Sequence, residues 1–597
     1  MRKSIFSKYV AVFIVLAALC SGALHAEIKH SQPPFSLTLS QALDWHETSE
    51  FATKDNVSRI PLATRIDPRI GALQANLDSH ARILLAPDGM NNFGNYLHEQ
   101  DSFNLYNFTN WAYIDTLNWF AGTADQTVNV PARPWVEAAH KNGVRVLGTV
   151  FLGIAQWGGS ADTVERLLVQ DDAGRFIAAH KLVAMAEYYG FDGWLINQET
   201  NLQAVKDEHG NIIPGEIDKE RAAKLALKMQ DFMRYLTNLA PPHIEIHWYD
   251  SMIMDGRVRW QNALNEKNLP FFQEDKDSPR SADAMFVNYW WNGEMLNDSA
   301  ELAKQKGRSP YDVYFGADLW PERKAQRAFS TYTWLDAIFP KNAPAKTSLA
   351  LFANNVNFNF SGTDKLPAYS RYQQDPNDVE RFYETEQRLF AGNDLNVAIK
   401  DYEEWPGIGA HVAARSVISS LPFSTYFNTG HGRLRMKGGQ KVSADDWHDI
   451  AQQDILPTWQ FAVQNTMTKG LVDIQYDFSD AYNGGSSLRF TIAPFADEHI
   501  EIPLFKTQLL LSNNTRLIAN VKSEEASASE VYLLLSFSDG NQTRVPLAAN
   551  SAFSTGEWSS SSQVLSANIG QTLTRISLQV NAGNKKKTFL LGGLHIE

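Results

Sequence analysis

Residues 134–151 read PWVEAAHKNGVRVLGTVF and contain one complete helix-to-strand unit. Pro134 suits the first turn of a helix, and Asn142-Gly143 is a typical helix stop signal. The run Val144–Phe151 follows at once and is almost continuously apolar, as expected of a strand that is covered on both faces. A helix followed directly by such a strand is the repeating unit of a parallel α/β sheet.

The same alternation extends over roughly residues 80–355. Eight runs are predicted to be strands: Arg82–Ala86, Trp111–Phe120, Val144–Phe151, Gly193–Asn197, Ile244–Tyr249, Met285–Trp290, Val313–Asp318 and Ser348–Asn354. Helical patterns such as Asp218–Leu236 lie between them, with apolar residues at helical spacing. Eight β/α units over this length predict an α/β protein with a (β/α)8 TIM barrel. A doubly wound open sheet is the alternative, because it has the same alternation.

The sequence pattern changes after about residue 395. Short alternating strands separated by turns predict one or two C-terminal β-sandwich domains of jelly-roll-like type. Val531–Phe537 followed by Asp539-Gly540 predicts a hairpin. We expect the catalytic barrel with an N-terminal extension over residues 27–395 and a β-rich linker or first sandwich over 396–470. A sandwich that resembles a carbohydrate-binding module is expected over 471–597.

The composition excludes several classes of protein. The chain has 597 residues, 44% of them hydrophobic and 20% charged, with a formal charge of −13. It is therefore a folded protein of two or three domains, not a disordered or coiled-coil chain. The acidic balance disfavours nucleic acid as a partner, because phosphates need a basic face. The single cysteine excludes a disulfide scaffold and multi-thiolate metal sites, and the 15 histidines show no ligand spacing that favours a metallohydrolase.

The N-terminus has the pattern of a secretory signal peptide. The apolar run Tyr9–Ala23 follows a basic start and is followed by the small residue Ala26. We therefore predict a signal peptide over residues 1–26 and a secreted or periplasmic location. An uncleaved anchor is the less favoured alternative, because the run is short for a membrane span. Lipid anchoring through Cys20 is also less favoured, since Leu19 is bulky where such signals usually have a small residue.

One strand ends in a pair of polar residues that suits glycoside chemistry. Asn197 and Glu199 follow the apolar run from Gly193, and their i, i+2 spacing puts both side chains on one face with Cα atoms roughly 6–7 Å apart. In substrate-assisted hydrolysis, the substrate's own 2-acetamido oxygen attacks the anomeric carbon while a carboxylic acid protonates the leaving oxygen. Glu199 would need a raised pKa, which a partly apolar surround supplies. On spacing alone, polar groups that merely cap a loop are an equal alternative.

Aromatic residues cluster at several other predicted strand ends. They are Phe151, Trp248-Tyr249, Tyr289-Trp290-Trp291 and Trp320. Aromatic faces stack on the apolar faces of sugar rings, and although a single aromatic residue usually belongs to the core, this clustering favours a sugar-binding cleft. Asp115, Asp250 and Asp318 also lie near strand ends, where a carboxylate can bind sugar hydroxyls or equally cap a helix.

Several ordered motifs carry a family resemblance. They are PWxEAAHKNGVxVLGT from Pro134, GFDGWLINQE from Gly190, HWYDS from His247, FVNYW from Phe286, YFGAD from Tyr314, LPFSTYFNTGHG from Leu421, QDILPTW from Gln453 and NGGSS from Asn483. Together they cover roughly residues 80–490 and resemble glycoside hydrolase family eighty-five, the endo-β-N-acetylglucosaminidases. The resemblance implies cleavage of the β-1,4 bond between the two core GlcNAc residues of N-glycans, with retention, through an oxazolinium intermediate. Because a sugar acceptor can trap this intermediate, some transglycosylation is also expected.

The resemblance also implies roles for individual residues. Glu199 matches the acid/base, Asn197 the residue that orients the acetamido group, and Tyr249 a tyrosine that assists there. The expected substrate-binding residues are Phe151, Trp248, Trp260, Tyr289, Trp290 and Asp318. We expect a monomer that acts on N-linked glycans of glycoproteins and requires no cofactor for catalysis, and a structural Ca²⁺ in a β-sandwich is left open. Gln198 and residues 150–157 differ from the family pattern, so glycan preference is not predicted.

The same residues are compatible with two alternative functions. A chitinase-like enzyme also uses substrate assistance on a barrel, but Leu195 and Asn197 stand where two aspartates of its strand motif are expected. A catalytically silent glycan-binding protein is the second alternative. Binding alone does not need a protonatable carboxyl group, so the presence of Glu199 beside Asn197 favours the enzyme.

Overall fold

The described part of the chain begins at residue 36. The computed structural model describes residues 36–597 apart from 208, 210, 321–322, 324, 327, 330–331, 360–377, 394–404, 464–470, 524–529 and 548–555. The predicted signal peptide and Cys20 therefore lie outside the described residues. The predicted domain boundaries near residues 395 and 470 also fall on undescribed residues and stay predictions.

Eight parallel strands close into a barrel. They are β1 (Ile83–Ala86), β2 (Thr116–Asn118), β3 (Arg145–Leu152), β4 (Gly193–Gln198), β5 (Glu245–Tyr249), β6 (Ala284–Val287), β7 (Val313–Asp318) and β8 (Ser348–Phe352). Each strand pairs in parallel with the next one along the chain. The last strand returns to the first, with Leu349 opposite Ile83. The predicted TIM barrel is confirmed, and the open sheet is excluded.

Several predicted strands are longer than the observed ones, and two of them, Trp111–Phe120 and Met285–Trp290, extend furthest beyond them. Trp111–Phe120 contains the short strand β2, whereas Trp111–Tyr113 forms a buried 3-10 helix. Strand β6 ends at Val287, before the aromatic residues that were assigned to its end. A continuous buried apolar run does not distinguish a strand from another buried segment, so periodicity alone placed both boundaries too widely.

Among the described residues, only 3-10 helices lie between β1 and β2 and between β5 and β6, whereas α-helices separate the other barrel strands as the sequence pattern predicts. The α-helices are Leu39–Asp44, Arg133–Lys141, Ala161–Leu167, Ile177–Tyr189, Lys219–Leu239, Gly293–Gln305, Thr333–Ile338, Val356–Asn359 and Val379–Ala391. Asp218 caps Lys219–Leu239 by accepting a hydrogen bond from the backbone N–H of Arg221. Of the helices that the structure describes, none combines the length and apolar character needed to cross a membrane.

Two antiparallel sheets form a β-sandwich at the C-terminal end. The six-stranded sheet contains Phe423–Thr425, Val472–Asp477, Ser487–Ile492, Arg516–Ser523, Trp558–Val564 and Lys587–Ile596. The four-stranded sheet contains Phe495–Leu510, Val531–Phe537, Gln542–Pro546 and Thr572–Gly583. The predicted hairpin is confirmed, since Ser536 lies opposite Gln542 across the turn. Apolar side chains such as Ile576 and Leu578 are fully buried in this sandwich.

Four pairs of short strands form further antiparallel ladders in the described part of the chain. Ser36–Leu37 pairs with Val128–Asn129, Ala204–Lys206 with Ile212–Ile217, His431–Gly432 with Trp447–His448, and Arg435–Lys437 with Gln440–Ser443. Strand Phe423–Thr425 pairs with Lys587–Ile596, so a segment of the predicted linker region contributes directly to the sandwich.

Candidate active site

A cavity of about 600 Å³ lies at the carboxyl ends of the barrel strands. Its lining includes side chains that follow or end five of these strands: Phe120, Phe151, Asn197, Glu199, Tyr249 and Phe352. The carboxyl-terminal face carries the active site in barrel enzymes. The cavity therefore lies where the fold positions catalytic groups.

Asn197 and Glu199 meet at the end of β4. The side-chain amide of Asn197 donates a 2.9 Å hydrogen bond to Oε2 of Glu199. Asn197 is only 2% exposed, and the backbone N–H of Glu199 donates to the carbonyl of Leu152 on the neighbouring strand. The two side chains therefore share one face of the strand, as the i, i+2 spacing predicts.

The environment of Glu199 favours its protonated form. Burial raises the pKa of this carboxyl group above its usual value. Hydrogen bonds from Asn197 and from Nε1 of Trp260, which lies 3.0 Å from Oε1, oppose that shift, as does the charge of Arg323. The net pKa is still raised, so Glu199 keeps its proton to a higher pH than an exposed glutamate. That property suits a general acid.

Tyr249 ends β5 and lines the same cavity. Its hydroxyl donates a 2.7 Å hydrogen bond to Oδ1 of Asn288, and the residue is 6% exposed. Burial raises its pKa well above the ordinary tyrosine value, so the hydroxyl remains a hydrogen-bond donor. Tyr249, Asn197 and Glu199 thus present a hydroxyl, an amide and a carboxyl group to one cavity.

Aromatic rings form part of the cavity wall. Trp157 is 51% exposed and stacks beside Phe151, with ring centroids 6.4 Å apart and planes 29° from parallel. Phe120 contacts Phe352 edge to face at 5.3 Å, and Tyr289 stacks on Phe352 at 5.5 Å. Flat apolar surfaces of this kind suit the faces of sugar rings.

Sequence reasoning missed most of the other lining residues, among them Phe120, Trp157, Arg323 and Phe352. Phe120 and Phe352 lie at the ends of two predicted strands, so the strand-end rule used for the other aromatic residues would have found them. Trp157 and Arg323 lie in loops that follow β3 and β7, and their approach to the cavity has no local signal in the sequence.

The structure places Trp248 away from the cavity, which differs from the expected substrate-binding role. The residue is fully buried and stacks on Phe271, with ring centroids 4.6 Å apart and planes 9° from parallel. Side chains alternate along a strand, so Trp248 and Tyr249 face opposite sides of β5. Trp248 therefore belongs to the layer outside the barrel.

The remaining predicted substrate-binding residues lie around the cavity at different depths. Phe151 and Tyr289 line it. Trp260 is 43% exposed and reaches Glu199, whereas Trp290 is 58% exposed and contributes no lining atom. Asp318 is 1% exposed and accepts a 2.9 Å hydrogen bond from Arg323, so Arg323 lies in the lining instead of this carboxylate.

The structure offers no candidate for a bound metal ion within the residues it describes. No group of three or more His, Cys, Asp or Glu side chains in these ranges is arranged to hold a metal. The Ca²⁺ that was left open for a β-sandwich and the expectation of cofactor-free catalysis therefore both stay predictions.

The fold and this cavity define a class of protein. A (β/α)8 barrel that places a carboxyl group, an amide and aromatic rings at the carboxyl ends of its strands has the architecture of a glycoside hydrolase. Residues 90–434 match the model of glycosyl hydrolase family 85, and the chain belongs to this family. The family resemblance of the sequence motifs is thus confirmed.

The curated proteins that this chain resembles are named as endo-beta-N-acetylglucosaminidases. The chain is 30% identical over 480 residues to the cytosolic endo-beta-N-acetylglucosaminidase of Gallus gallus, covering 78% of this chain and 53% of that protein. The Homo sapiens protein of the same name is 28% identical over 531 residues, covering 87% of this chain and 60% of that protein. The chain therefore spans between half and two thirds of the length of these relatives.

A solved structure shares most of the fold. The glycoside hydrolase domain of Endo-D from Streptococcus pneumoniae R6 has a TM-score of 0.74 and 26% sequence identity. The similarity covers 94% of this chain and 82% of that chain. It therefore includes the C-terminal β-sandwich as well as the barrel.

The relatives contradict the predicted location. Their names describe cytosolic enzymes in animals and in a plant, not secreted or periplasmic ones as expected here. The basic and apolar pattern of residues 1–26, on which the expectation depended, also suits segments that are not secretory signals. Pattern alone did not separate these cases.

Proposed function

We propose that the chain hydrolyses the β-1,4 bond between the two core GlcNAc residues of N-glycans. Membership of glycosyl hydrolase family 85 and the names of the curated relatives support this activity. The observation that carries the proposal is the hydrogen-bonded pair of Asn197 and Glu199 in the barrel cavity. An amide beside a protonatable carboxyl group is the pair that an N-acetylated substrate needs.

The proposed mechanism is substrate-assisted. The 2-acetamido oxygen attacks the anomeric carbon, the glycosidic C–O bond breaks, and the leaving oxygen takes the proton of Glu199. Water then attacks the anomeric carbon of the oxazolinium intermediate and returns a proton to Glu199, which regenerates the acetamido group with net retention. Asn197 would orient the acetamido group, and the hydroxyl of Tyr249 would assist at the same group.

The position of Asn197 supports substrate assistance over a protein nucleophile. A retaining glycosidase with its own nucleophile has two carboxyl groups about 5–5.5 Å apart. Here the side chain next to Glu199 on the same face of β4 is an amide. An amide is a poor nucleophile, but it polarises and holds an acetamido group well.

A digestion panel tests the activity. The purified chain is incubated with glycoproteins that carry defined high-mannose, hybrid or complex N-glycans, and the products are read by mass spectrometry. We expect released oligosaccharide ending in one GlcNAc and protein that retains the other GlcNAc on asparagine. Glu199→Gln is the matched inactive control. Intact glycoprotein in every arm would overturn the proposal.

Two parallel assays separate the alternatives. Cleavage of chitin oligosaccharides but not of glycoproteins would favour the chitinase-like reading. Glycan binding without cleavage of either substrate would favour a glycan-binding protein.

We also propose some transglycosylation, to be measured as transfer products at high acceptor concentration, and a monomer that acts without a cofactor. Light scattering and activity after chelation test these last two properties.

A further inference from the structure

A single buried carboxylate lies beneath the candidate active site. Asp250 follows β5 directly and is fully buried. Its Oδ1 accepts hydrogen bonds from the backbone N–H of Gln261 at 2.8 Å and from Nδ2 of Asn268 at 3.3 Å. Its Oδ2 accepts from the backbone N–H groups of Asn262 at 2.8 Å and Asn288 at 3.1 Å. Four donors from two separate segments therefore converge on one side chain.

Both segments continue to residues that contact the candidate catalytic groups. The first segment carries Trp260, whose indole N–H donates to Glu199 at 3.0 Å. The second carries Asn288, whose side-chain oxygen accepts the hydroxyl of Tyr249 at 2.7 Å. Asp250 thus binds the backbone N–H of Asn288, the partner of the tyrosine, and that of Gln261, the residue next to the partner of the acid.

Asn262 joins the two segments a second time. Its side-chain oxygen accepts from Nδ2 of Asn288 at 2.8 Å and from the backbone N–H of Trp290 at 3.0 Å. Its backbone has a φ of 55°, a left-handed conformation that is uncommon outside glycine. Such a conformation persists only where the surroundings hold it in place. The carboxylate of Asp250, which binds the N–H of Asn262, is part of those surroundings.

We propose that Asp250 is a positioning residue that holds Trp260 against Glu199 and Asn288 against Tyr249, so that one buried carboxylate sets both hydrogen bonds. This inference rests on the proposed role of Glu199 as the acid. Burial raises the pKa of Asp250 to about 6, so above that pH its carboxylate is ionised and offers acceptors on both oxygens. An asparagine would instead turn an NH2 group toward two of the four donors. Buried donors left without an acceptor are costly, so the two segments would shift.

The pKa of Glu199 should change when Asp250 is replaced. The Trp260 hydrogen bond stabilises the ionised form of Glu199, so its loss raises the pKa of this group further. We expect Asp250→Asn and Trp260→Phe each to move the alkaline limb of kcat/KM upward by roughly half to one pH unit. The double variant should move it no further than Trp260→Phe alone, because both changes remove one interaction. Among the described residues, the other charged or titratable groups that line the cavity with Glu199 are Arg323, Tyr249, Tyr289, Asp88 and Asp125, which these variants retain.

A matched control variant distinguishes the positioning role of Asp250 from a general loss of stability. Asp283 precedes β6 at the opposite end of the barrel and accepts the backbone N–H of Ile246 at 2.8 Å. Asp283→Asn therefore also removes a carboxylate that links strands, and thermal unfolding reports the stability cost of both variants. We expect the pH profile of Asp283→Asn to match that of the wild type. If Asp250→Asn does not fold, Asn268→Ala removes one of the four donors and should shift the limb in the same direction by less.

A substrate-free measurement keeps this inference separate from the proposed function. Glutamate labelled with ¹³C at the carboxyl carbon reports the titration of Glu199 by NMR, with Glu199→Gln providing the assignment. Wild-type protein that cleaves no glycan would overturn the function, while the NMR titration would still test the positioning. A Glu199 pKa that rises in Trp260→Phe but is unchanged in Asp250→Asn would overturn the positioning role. Additive shifts in the double variant would overturn it as well.

Discussion

The side-chain amide of Asn197 donates to Oε2 of Glu199 at 2.9 Å, across two residues at the end of one barrel strand. The bond joins the group proposed to orient the acetamido group to the group proposed to protonate the leaving oxygen. Because it stabilises the ionised form, it also limits how far burial raises the pKa of Glu199. Orientation and proton transfer are therefore linked through one contact.

Replacing Asn197 should change the pH dependence as well as the rate. Asn197→Ala removes a donor to the carboxylate, so the pKa of Glu199 rises and the alkaline limb of kcat/KM moves to higher pH. The loss of acetamido orientation should lower kcat by about 10²-fold or more. A full pH profile on one defined N-glycan measures both effects. An unchanged limb with a lowered rate would contradict the electrostatic link.

Preformed sugar oxazoline separates the two roles. The oxazoline already contains the bond that Asn197 is proposed to help form, whereas acid/base catalysis is still needed to activate the acceptor. We expect Glu199→Gln nearly to abolish hydrolysis of the glycoprotein. Use of the oxazoline should fall less for Asn197→Gln than for Glu199→Gln. Equal losses in the two variants, measured by product formation in one assay, would contradict the assignment.

Trp157 should contribute to substrate binding more than to chemistry. Its exposed ring continues the aromatic surface formed by Phe151 at the cavity wall. A sugar–aromatic contact is worth about 0.5–1.5 kcal/mol, so Trp157→Ala should raise KM by up to roughly tenfold with little change in kcat. Steady-state kinetics on a defined glycan test this. Val442→Ala, which alters an exposed side chain on another strand, should leave KM unchanged.

Trp248, unlike Trp157, should contribute to stability and not to substrate binding. Its ring is fully buried against Phe271 outside the barrel, so truncation leaves a cavity in the core. We expect Trp248→Ala to lower the free energy of unfolding by about 3–5 kcal/mol. Urea unfolding measures this change, and the KM of the folded fraction should stay close to that of the wild type. A raised KM with unchanged stability would return Trp248 to the substrate-binding set.

The contrast between Trp248 and Tyr249 shows where sequence reasoning ends. The barrel and the Asn197–Glu199 pair depend on local patterns, namely the repeated β/α units and a two-residue spacing, and both were predictable. Which of two adjacent aromatic residues faces the cavity depends on how the strand is set in the barrel, because a one-residue shift exchanges the faces. The sequence pattern of β5 does not specify this.

Long-range contacts were also beyond local patterns. Trp260 reaches Glu199 from 61 residues later in the chain. Its position depends on the buried carboxylate of Asp250, which looked in the sequence like a helix cap or a sugar ligand. Arg323 reaches the cavity from the loop after β7 and pairs with Asp318. Such contacts form only when the barrel closes, so spacing along the chain does not reveal them.

Glu386 gives the fold a pH dependence that is separate from catalysis. This residue lies on helix Val379–Ala391 and is 2% exposed. The backbone of Thr109 and the side chain of Asn110 interact with its carboxyl group and partly oppose the effect of burial on its pKa. Burial raises its pKa to about 8. An acid whose pKa is higher in the folded protein than in the unfolded chain binds more protons when folded, so stability falls as pH rises between these two values.

The free energy of unfolding should therefore decrease from about pH 4.5 to pH 8 and then level off, with a contribution from Glu386 of at most about 5 kcal/mol. Glu386→Gln cannot ionise, so it should be more stable than the wild type at pH 8 and similar to it near pH 4.5. Urea unfolding at several pH values measures the difference. Glu380→Gln changes an exposed acid on the same helix and should follow the wild-type curve. Parallel curves for wild type and Glu386→Gln would mean that this carboxyl group is not the source of the pH dependence.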